Sequence, residues 1–159
     1  MIKEIKLIVF DFDGVFTNNK VIVSEEGKEY VICSRADGLG LKKLDEFGIQ
    51  KLILSTETND VVKKRSEKLK IECIHGVQNK EDVLLKIIEK RKIPAEQVAF
   101  VGNDINDMAC MKMVGWPVCV ADAYPEIKKN SKIVLSKNGG EGAVREFCDI
   151  IINARTHQP

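Results

Sequence analysis

Two aspartates at the end of an apolar run are the first residues of the chain whose spacing suggests chemistry. Asp11-Phe12-Asp13-Gly14 places two carboxylates two residues apart, directly before a glycine suited to a turn. Two like charges held close together cost free energy unless a cation or a proton relieves them. Carboxylate oxygens are hard ligands, and Mg²⁺ commonly takes one or two of them from a protein while it keeps several waters. The pair therefore indicates a magnesium site, although a solvated aspartate turn would also account for it.

A hydroxyl group and a lysine follow two later segments of the chain. Ser55-Thr56-Glu57 comes after the apolar run at residues 49–54, and its hydroxyls could donate hydrogen bonds to a phosphate oxygen. Lys80 opens a helical pattern, where its charge opposes the helix dipole and a bound anion would explain it. Each signal is weak alone, because serine and threonine often cap helices and a solvated lysine is common.

An acidic cluster follows the apolar run at residues 98–101. Asn103, Asp104 and Asp107 bring acid and amide oxygens close to one strand end. Alone, this cluster would be a capped helix start. Together with the aspartate pair, the hydroxyl and the lysine, it supplies the parts for phosphoryl transfer through a covalent aspartyl phosphate.

Strand and helix patterns alternate along the chain and explain how these groups would meet. Apolar runs predict strands over residues 5–10, 49–54, 73–74, 98–101, 118–120 and 133–135. Helical periodicity predicts helices over residues 39–47, 59–69, 80–91, 105–114 and 142–152. Such alternation is typical of an α/β fold with a doubly wound, mostly parallel sheet, in which ligands bind beyond the carboxyl ends of the strands. We therefore expect the four groups at one edge of the sheet.

Residues 21–33 depart from this alternation. Two short β patterns, at residues 21–23 and 30–32, flank Ser24-Glu25-Glu26-Gly27, and this arrangement predicts a β-hairpin that projects from the sheet.

The overall composition describes an ordinary globular chain. Its 159 residues suit one domain, residues 1–159, and its net charge of +1, from 25 basic and 24 acidic residues, gives no general attraction to nucleic acid or anionic lipid. The apolar runs are too short to span a bilayer, and the first residues lack the pattern of a secretory signal. Five cysteines without a CxxC pair are typical of a reducing cytoplasm, where we expect the protein.

The motifs resemble those of the haloacid dehalogenase superfamily over nearly the whole chain. The matching residues are Asp11-Phe12-Asp13-Gly14-Val15-Phe16-Thr17, Ser55, Lys80 and Gly102-Asn103-Asp104-x-x-Asp107. No large insertion follows the hairpin or the strand at residues 73–74, so the chain is similar to members that lack a cap domain.

Three further segments are similar to one particular group within this superfamily. They are Arg35-Ala36-Asp37-Gly38-Leu39-Gly40, Val120-Ala121-Asp122-Ala123 and Gly139-Gly140-Glu141-Gly142-Ala143-Val144-Arg145-Glu146. They are similar to the group of phosphatases that act on 3-deoxy-D-manno-octulosonate 8-phosphate or on nonulosonate 9-phosphates, and also to the phosphatase-like C-terminal domain of acylneuraminate cytidylyltransferases. The resemblance implies a Mg²⁺-dependent phosphomonoester hydrolase whose substrate is a small sugar-acid phosphate.

The resemblance also implies a role for each matching residue. Asp11 would attack phosphorus and bind Mg²⁺. Asp13 would offer its backbone carbonyl to the metal, protonate the leaving alcohol and then activate water. Ser55 and Lys80 would hold the phosphate, and Lys80 would offset the charge near Asp11.

One position departs from the family pattern. Many relatives carry aspartate as the third metal ligand, where this chain has Asn103. Either Asn103 binds Mg²⁺ through its neutral amide oxygen, or Asp104 compensates from beside it.

The resemblance also implies which residues bind the substrate and how the subunits assemble. Arg65 and Lys68, three residues apart and so on one helix face, would reach a substrate carboxylate across a subunit boundary, and Glu57 would meet a sugar hydroxyl or amine. A solvated basic face is the alternative for this helix. Members of the family are usually homotetramers in which the hairpin helps close a neighbour's site, and this would support a two-stranded unit that is marginal alone.

Two other functions compete with a phosphatase. A phospho-accepting receiver domain also uses aspartate, serine or threonine, lysine and Mg²⁺, but its phosphorylated aspartate should follow the third strand rather than the first. A non-catalytic tetramerisation module related to the cytidylyltransferase tail is the other alternative, and the intact Asp11 favours an enzyme. We assign no functional role to His75, Trp116 or His157.

Overall fold

The structure of the protein is a computed structural model, and it describes residues 1–156. Eight strands and six helices follow one another in the order β1 Leu7–Phe10, β2 Ile22–Val23, β3 Glu29–Tyr30, α1 Arg35–Asp45, β4 Gln50–Leu54, α2 Val61–Leu69, β5 Glu72–Ile74, α3 Lys80–Arg91, β6 Val98–Gly102, α4 Met108–Met113, β7 Trp116–Cys119, α5 Pro125–Lys129, β8 Ile133–Val134 and α6 Ala143–Thr156. Short 3₁₀ helices span Ile2–Glu4, Ala95–Gln97 and Ile105–Asp107. His157 lies outside the described residues.

Six strands form one parallel sheet in the order β5-β4-β1-β6-β7-β8. β1 is fully buried, as its unbroken apolar run predicts, and Leu7 pairs with Gln50 of β4 on one side and Val98 of β6 on the other. The chain moves outward from β1 through β4 to β5, then crosses to β6 and continues in the opposite direction. The strand order therefore reverses between β1 and β6, and the doubly wound α/β fold is confirmed.

The predicted hairpin is present and projects from the sheet. β2 and β3 pair only with each other among the described strands, and an isolated bridge between Thr17 and Cys33 closes the base of the hairpin. Val31 packs against the core, but five other apolar side chains of the hairpin are between 51% and 61% exposed; these are Val21, Ile22, Val23, Tyr30 and Ile32. Within residues 1–156, no inserted cap domain separates the elements of the sheet.

Helix α1 begins four residues before the start predicted at residue 39. The Ser34 hydroxyl accepts a hydrogen bond from the Ala36 N–H at 3.2 Å, which caps the earlier start. Gly40 disfavours a helix by itself, but α6 packs so closely here that an added Cβ would lie 2.8 Å from the Arg145 side chain. Tertiary packing therefore overrides the local propensity.

Two other helical elements differ from the predictions by more than a shift of their ends. The single helix predicted over residues 105–114 is a 3₁₀ turn, Ile105–Asp107, followed by α4. The short helix α5, which begins with Pro125, was not predicted because five residues carry too little periodicity.

No helix within residues 1–156 has the length and apolar character needed to cross a membrane. All five cysteines are free thiols; they are Cys33, Cys73, Cys110, Cys119 and Cys148. Free thiols agree with the cytoplasmic location expected above, which stays a prediction.

Candidate active site

A small polar cavity of about 100 Å³ opens beyond the carboxyl ends of β1 and β6, where the strand order reverses. Its lining residues are Asp11, Asp13, Asn19, Thr56, Asn103, Asp104 and Asn106. The structure therefore brings the aspartate pair and the acidic cluster to one place, although 90 residues of chain separate them. This is the crevice in which doubly wound sheets bind ligands.

The turn after β1 is shaped around Gly14. The Asp11 N–H donates to the Val101 carbonyl at 2.9 Å, and the chain then turns away from the sheet. Gly14 has a φ of +80°, and its N–H donates to the Thr17 hydroxyl at 3.0 Å. An added Cβ at Gly14 would lie 2.0 Å from Asn103 Nδ2. Glycine is therefore needed for both the backbone conformation and the close packing of Asn103.

A buried ion-pair network lies under the cavity. Lys80 Nζ is 2.8 Å from Asp11 Oδ1 and 2.9 Å from Asp107 Oδ1, and the Lys80 side chain is only 2% exposed. Asp107 Oδ2 accepts a hydrogen bond from the Asn103 N–H at 3.0 Å. Lys80 is the first residue of α3, so the helix start delivers its side chain to the ends of β1 and β6. The network links three separate elements of the site.

The network shifts the pKa values of its members. Burial raises the pKa of Asp11 to about 7, the charge of Asp107 adds to this effect, and Lys80 opposes it. Burial would lower the pKa of Lys80, but the adjacent Asp11 and Asp107 carboxylates outweigh it, so that this pKa is raised. Lys80 is therefore a permanent cation, whereas Asp11 in the metal-free site titrates near neutrality.

The two carboxylate oxygens of Asp11 have different surroundings. Oδ1 accepts from Lys80 Nζ and, at 2.7 Å, from the Phe12 N–H. Oδ2 has no hydrogen-bond partner within residues 1–156, and Asp11 lines the cavity. One oxygen thus fixes the carboxylate, and the other is free to act on a bound group.

Asp13 is suited to proton transfer. It is half-buried, and burial raises the pKa of its carboxyl; the charge of Glu57 raises it further, Lys80 lowers it and Glu29 raises it. In the described part of the chain the Asp13 side chain makes no hydrogen bond, so no neighbouring group competes for its proton. A carboxyl group in this environment keeps its proton to a higher pH and can act as a general acid.

Asn103 and Asp104 differ in how their side-chain oxygens are used. Asp104 Oδ1 caps the following 3₁₀ turn by accepting from the Ile105 N–H at 2.7 Å. Asn103 Oδ1 is buried and has no hydrogen-bond partner in the structure. A buried polar atom without a partner is costly, so this oxygen is available to a ligand that the protein itself does not supply.

The oxygens around the cavity fit a hard cation. Asp11 Oδ2 and Asn103 Oδ1 are free, and the backbone carbonyl of Asp13 accepts no hydrogen bond from the described residues. Within residues 1–156, no three His, Cys, Asp or Glu side chains form a metal cluster, so a cation here would also need amide and carbonyl oxygens. Such neutral and anionic oxygens are the donors that Mg²⁺ prefers.

Ser55 lies in the wall of the site rather than on the cavity surface. It follows β4 beside Asp11 and is buried, and its hydroxyl accepts from the Glu57 N–H at 3.1 Å. Thr56 lines the cavity instead. Glu57 Oε1 accepts from the Asn59 N–H at 2.8 Å, and its charge acts on Asp13.

Arg65 and Lys68 lie away from this cavity. They line a separate groove of about 420 Å³ on α2, together with Arg35. Arg65 is half-buried and its Nη2 donates to the Ser34 carbonyl at 3.1 Å, whereas Lys68 is exposed. Within one chain the structure does not bring these cations to Asp11, and only a neighbouring subunit's cavity could use them as predicted.

Two residues of the site, Asn19 and Asn106, were not predicted. Thr56 and Asp107 were predicted only as members of motifs, without an assigned role. Asp107 had a signal in the sequence, since it completes the acidic cluster three residues after Asp104. Its role as the partner of a buried lysine depends on a contact across 27 positions of the chain.

The chain is similar in sequence to known proteins. Residues 41–147 match the family model described as haloacid dehalogenase-like hydrolase. The 3-deoxy-D-manno-octulosonate 8-phosphate phosphatase of Escherichia coli K12 is 32% identical over 154 residues, which are 96% of this chain and 82% of that protein.

Two solved structures have the same architecture. The 3-deoxy-D-manno-octulosonate 8-phosphate phosphatase of Moraxella catarrhalis, in complex with a magnesium ion, a phosphate ion and a KDO molecule, superposes with a TM-score of 0.93 at 31% identity, covering 98% of this chain and 90% of that one. The cobalt-bound deoxy-D-mannose-octulosonate 8-phosphate phosphatase of Haemophilus influenzae gives 0.92 at 31% identity, with 98% and 91% covered.

Proposed function

We propose a substrate and a mechanism for this chain, which belongs to the haloacid dehalogenase-like hydrolase family. It is a phosphatase, and we infer that it hydrolyses the phosphomonoester of a small sugar acid through a covalent intermediate on Asp11. One observation carries the mechanism: Asp11 is held through Oδ1 by Lys80 while Oδ2 is free at a cavity shared with Asp13 and Asn103.

The first chemical step uses both aspartates. Asp11 Oδ2 attacks the phosphorus atom and forms an O–P bond as the bond to the sugar oxygen breaks. Asp13 donates its proton to that departing oxygen, which leaves as an alcohol. Lys80 and the Ser55 hydroxyl stabilise the negative phosphoryl oxygens.

The second step restores the enzyme. Asp13, now a carboxylate, accepts a proton from water, and the resulting hydroxide attacks phosphorus. The Asp11–phosphorus bond breaks, phosphate leaves, and both aspartates return to their starting protonation states. The raised pKa of Asp13 suits both roles, because a group that titrates closer to neutrality can give and take a proton at the working pH.

Mg²⁺ is the metal that the free oxygens favour. Asp11, the Asp13 carbonyl and Asn103 would hold it, with Asp104 as the alternative third ligand. When bound, Mg²⁺ offsets the negative charge that Asp11 and the phosphate bring together.

The substrate proposal rests on charge and on the relatives. Relatives named for 3-deoxy-D-manno-octulosonate 8-phosphate favour this compound. A nonulosonate 9-phosphate, expected from the motifs, is the alternative. Either substrate carries a carboxylate, and we assign it to Arg65 and Lys68 of a neighbouring subunit, with Glu57 near a sugar hydroxyl or amine. A purely non-catalytic module is not favoured, since it would need no free nucleophile oxygen at a cavity.

A substrate screen tests the proposal. The purified protein with Mg²⁺ should release phosphate from octulosonate 8-phosphate or nonulosonate 9-phosphate at least ~10-fold faster, as kcat/KM, than from the neutral sugar glucose 6-phosphate, since an unpaired substrate-binding cation costs more than ~1 kcal/mol. Equal rates on acid and neutral sugars would contradict the substrate class. No release from any phosphomonoester would contradict the enzyme itself.

The third metal ligand can be identified by two substitutions. If Asn103 binds Mg²⁺, Asn103→Asp adds a charge beside the cation, and the half-saturating Mg²⁺ concentration should fall about 5-fold after solvent screening. Asp104→Asn should then have little effect, because Asn103 holds the cation and an asparagine at position 104 keeps an oxygen that can cap the 3₁₀ turn. Titration of activity against Mg²⁺ measures both.

Asn106→Asp is the matched control for that experiment. It adds the same charge at the rim of the same cavity, where residue 106 is exposed, and should change the Mg²⁺ requirement less than Asn103→Asp does. If Asp104→Asn instead raises the Mg²⁺ requirement sharply and Asn103→Asp changes little, Asp104 is the ligand.

We also propose a homotetramer built through the hairpin. The exposed apolar side chains of the hairpin need a partner, and a two-stranded sheet is marginal without one. Light scattering should give about four times the monomer mass, and Ile22→Asp should shift it to smaller species. Leu85→Asp, on an exposed face of α3, is the control and should leave the mass unchanged. A wild-type monomer with full activity would refute the assembly.

A further inference from the structure

One loop beside the site has no part in the mechanism above. Residues 136–142, which we name the brace, connect β8 to α6 and contain the glycine pair Gly139-Gly140. Asp122 and residues 139–142 of the brace lie in segments that are similar to one group within the family. None of these residues has a catalytic role in the proposed mechanism.

Two carboxylates accept hydrogen bonds from the backbone of the brace. The Glu146 carboxylate accepts hydrogen bonds from the N–H groups of Ser136, at 2.9 and 3.0 Å, and of Lys137, at 2.9 Å. Asp122 Oδ1 accepts from the Gly139 N–H at 2.9 Å. Charge-assisted hydrogen bonds to backbone N–H groups are stronger than neutral ones, so each anchor restrains the loop.

The brace also contacts the turn that carries Asp11 and Asp13. The Gly140 N–H donates to the Val15 carbonyl at 3.1 Å. Gly139 is buried against the backbone, and an added Cβ there would lie 1.9 Å from the Gly14 carbonyl oxygen. The two backbones are in direct contact at this point, so position 139 has no room for a side chain.

Gly14 is therefore held on two sides. Gly139 lies against its carbonyl, and the Asn103 side chain lies where a Cβ would be. The peptide between Asp13 and Gly14 carries the Asp13 carbonyl oxygen, one of the free oxygens of the site. Any shift of Gly14 moves this oxygen relative to Asn103 Oδ1.

We propose that Asp122 and Gly139 are positioning residues, which hold the Asp13-Gly14 peptide so that its carbonyl and Asn103 Oδ1 converge on one cation. This inference rests on the proposed function, because it gives the brace its purpose in the Mg²⁺ site. Oxygen ligands of Mg²⁺ must meet near-ideal octahedral geometry, so a small displacement of one ligand weakens the site. We therefore expect loss of this restraint to weaken Mg²⁺ binding more than it lowers the free energy of unfolding.

Three variants separate positioning from general stabilisation. Asp122→Ala removes the acceptor for the Gly139 N–H, and Asp122→Asn keeps an acceptor oxygen and should restore most of the function. Glu126→Ala removes the same negative charge four residues away, where the side chain makes no hydrogen bond to the described chain. Gly139→Ala would test the contact directly but clashes with backbone and is not needed.

Isothermal titration with MgCl₂ alone and steady-state kinetics give the readouts. For Asp122→Ala we expect the Mg²⁺ dissociation constant to rise about 5-fold and kcat to fall about 10-fold. A misplacement of about 1 Å can cost ~10²-fold in rate, and we expect a smaller displacement here. The melting temperature should change little, because Asp122 is exposed. Asp122→Asn and Glu126→Ala should stay within about 2-fold of wild type in both readouts, as exposed substitutions usually do.

The contrary outcomes are distinct. If wild type binds Mg²⁺ and hydrolyses its substrate but Asp122→Ala does the same, the positioning role is wrong and the proposed function stands. If Glu126→Ala matches Asp122→Ala, the effect is one of charge and the positioning role is again wrong. If wild type neither binds Mg²⁺ nor releases phosphate, the proposed function fails and the inference fails with it.

Discussion

Asp11→Asn should abolish turnover and leave the fold intact. The amide is a poor nucleophile, and loss of a covalent nucleophile costs at least ~10⁴-fold in kcat. The fold should survive because asparagine has nearly the same shape, and Lys80 keeps Asp107 as a charged partner at 2.9 Å.

The pKa of Asp11 predicts the sign of the stability change. Its pKa is raised from 3.8 to about 7, mainly by burial, so the folded metal-free protein binds this proton more tightly than the unfolded chain does. Ionisation of Asp11 therefore lowers stability progressively as the pH rises from about 4 to about 7. A neutral asparagine removes this cost, so without Mg²⁺ the variant should be at least as stable as wild type at pH 8.

Phosphate release and thermal melting at pH 8, both with purified protein, check these two expectations. Asp60→Asn, at an exposed position whose side chain makes no capping bond, is the matched control and should retain normal activity and stability. More than a tenth of wild-type activity in the Asp11→Asn protein would rule out Asp11 as the nucleophile.

Lys80→Met should damage both stability and activity. Lys80 is the shared cation of Asp11 and Asp107, and without it two buried carboxylates face each other unpaired. Breaking a buried ion pair by removing one partner costs about 3–5 kcal/mol of stability. Activity should fall by at least ~10³-fold, because the nucleophile loses the contact that fixes its Oδ1 and the phosphate loses a charge partner.

The pH dependence makes this prediction specific. Without Lys80 the two carboxyl groups can relieve their repulsion only by binding protons, so the loss of stability should be greater at pH 8 than at pH 5. Urea unfolding at both pH values measures it. Lys86→Met, an exposed lysine of the same helix, should unfold like wild type. An equal loss of stability at both pH values would mean that the two carboxylates are not the reason for it.

The position of the site was predictable because a simple rule of topology decides it. Parallel strands end at one edge, so Asp11 and Asn103 had to meet if the strands at residues 5–10 and 98–101 were neighbours, and β1 and β6 do pair. The α/β fold and the hairpin were predictable from periodicity alone. The family assignment was predictable from the motifs, and the comparisons confirm it. The catalytic roles stay predictions.

Other features depend on contacts that a linear pattern does not encode. Asp107 was not assigned as the partner of Lys80, since helix starts often carry polar residues for local reasons. The choice between Asn103 and Asp104 depends on which oxygen is used by a local cap. Arg65 and Lys68 share a helix face as predicted, but only the folded chain shows that they line a groove other than the cavity at Asp11.

The central position of β1 has a consequence for how the protein reaches its active form. This strand is made first, yet its neighbours begin at residues 50 and 98. Its edge toward β4 can pair once residue 50 and those after it exist, whereas its edge toward β6 stays unpaired until residue 98 and those after it have been synthesised. Pairings between residues so distant in sequence slow folding and leave an apolar strand exposed to aggregation in the nascent chain. Because Asp11 and Asn103 flank the later of these two pairings, a partly folded species without the β1–β6 pairing cannot hold the site together. Recovery of phosphatase activity after denaturation would thus report the long-range pairing of β1 with β6 rather than the folding of any local part of the chain.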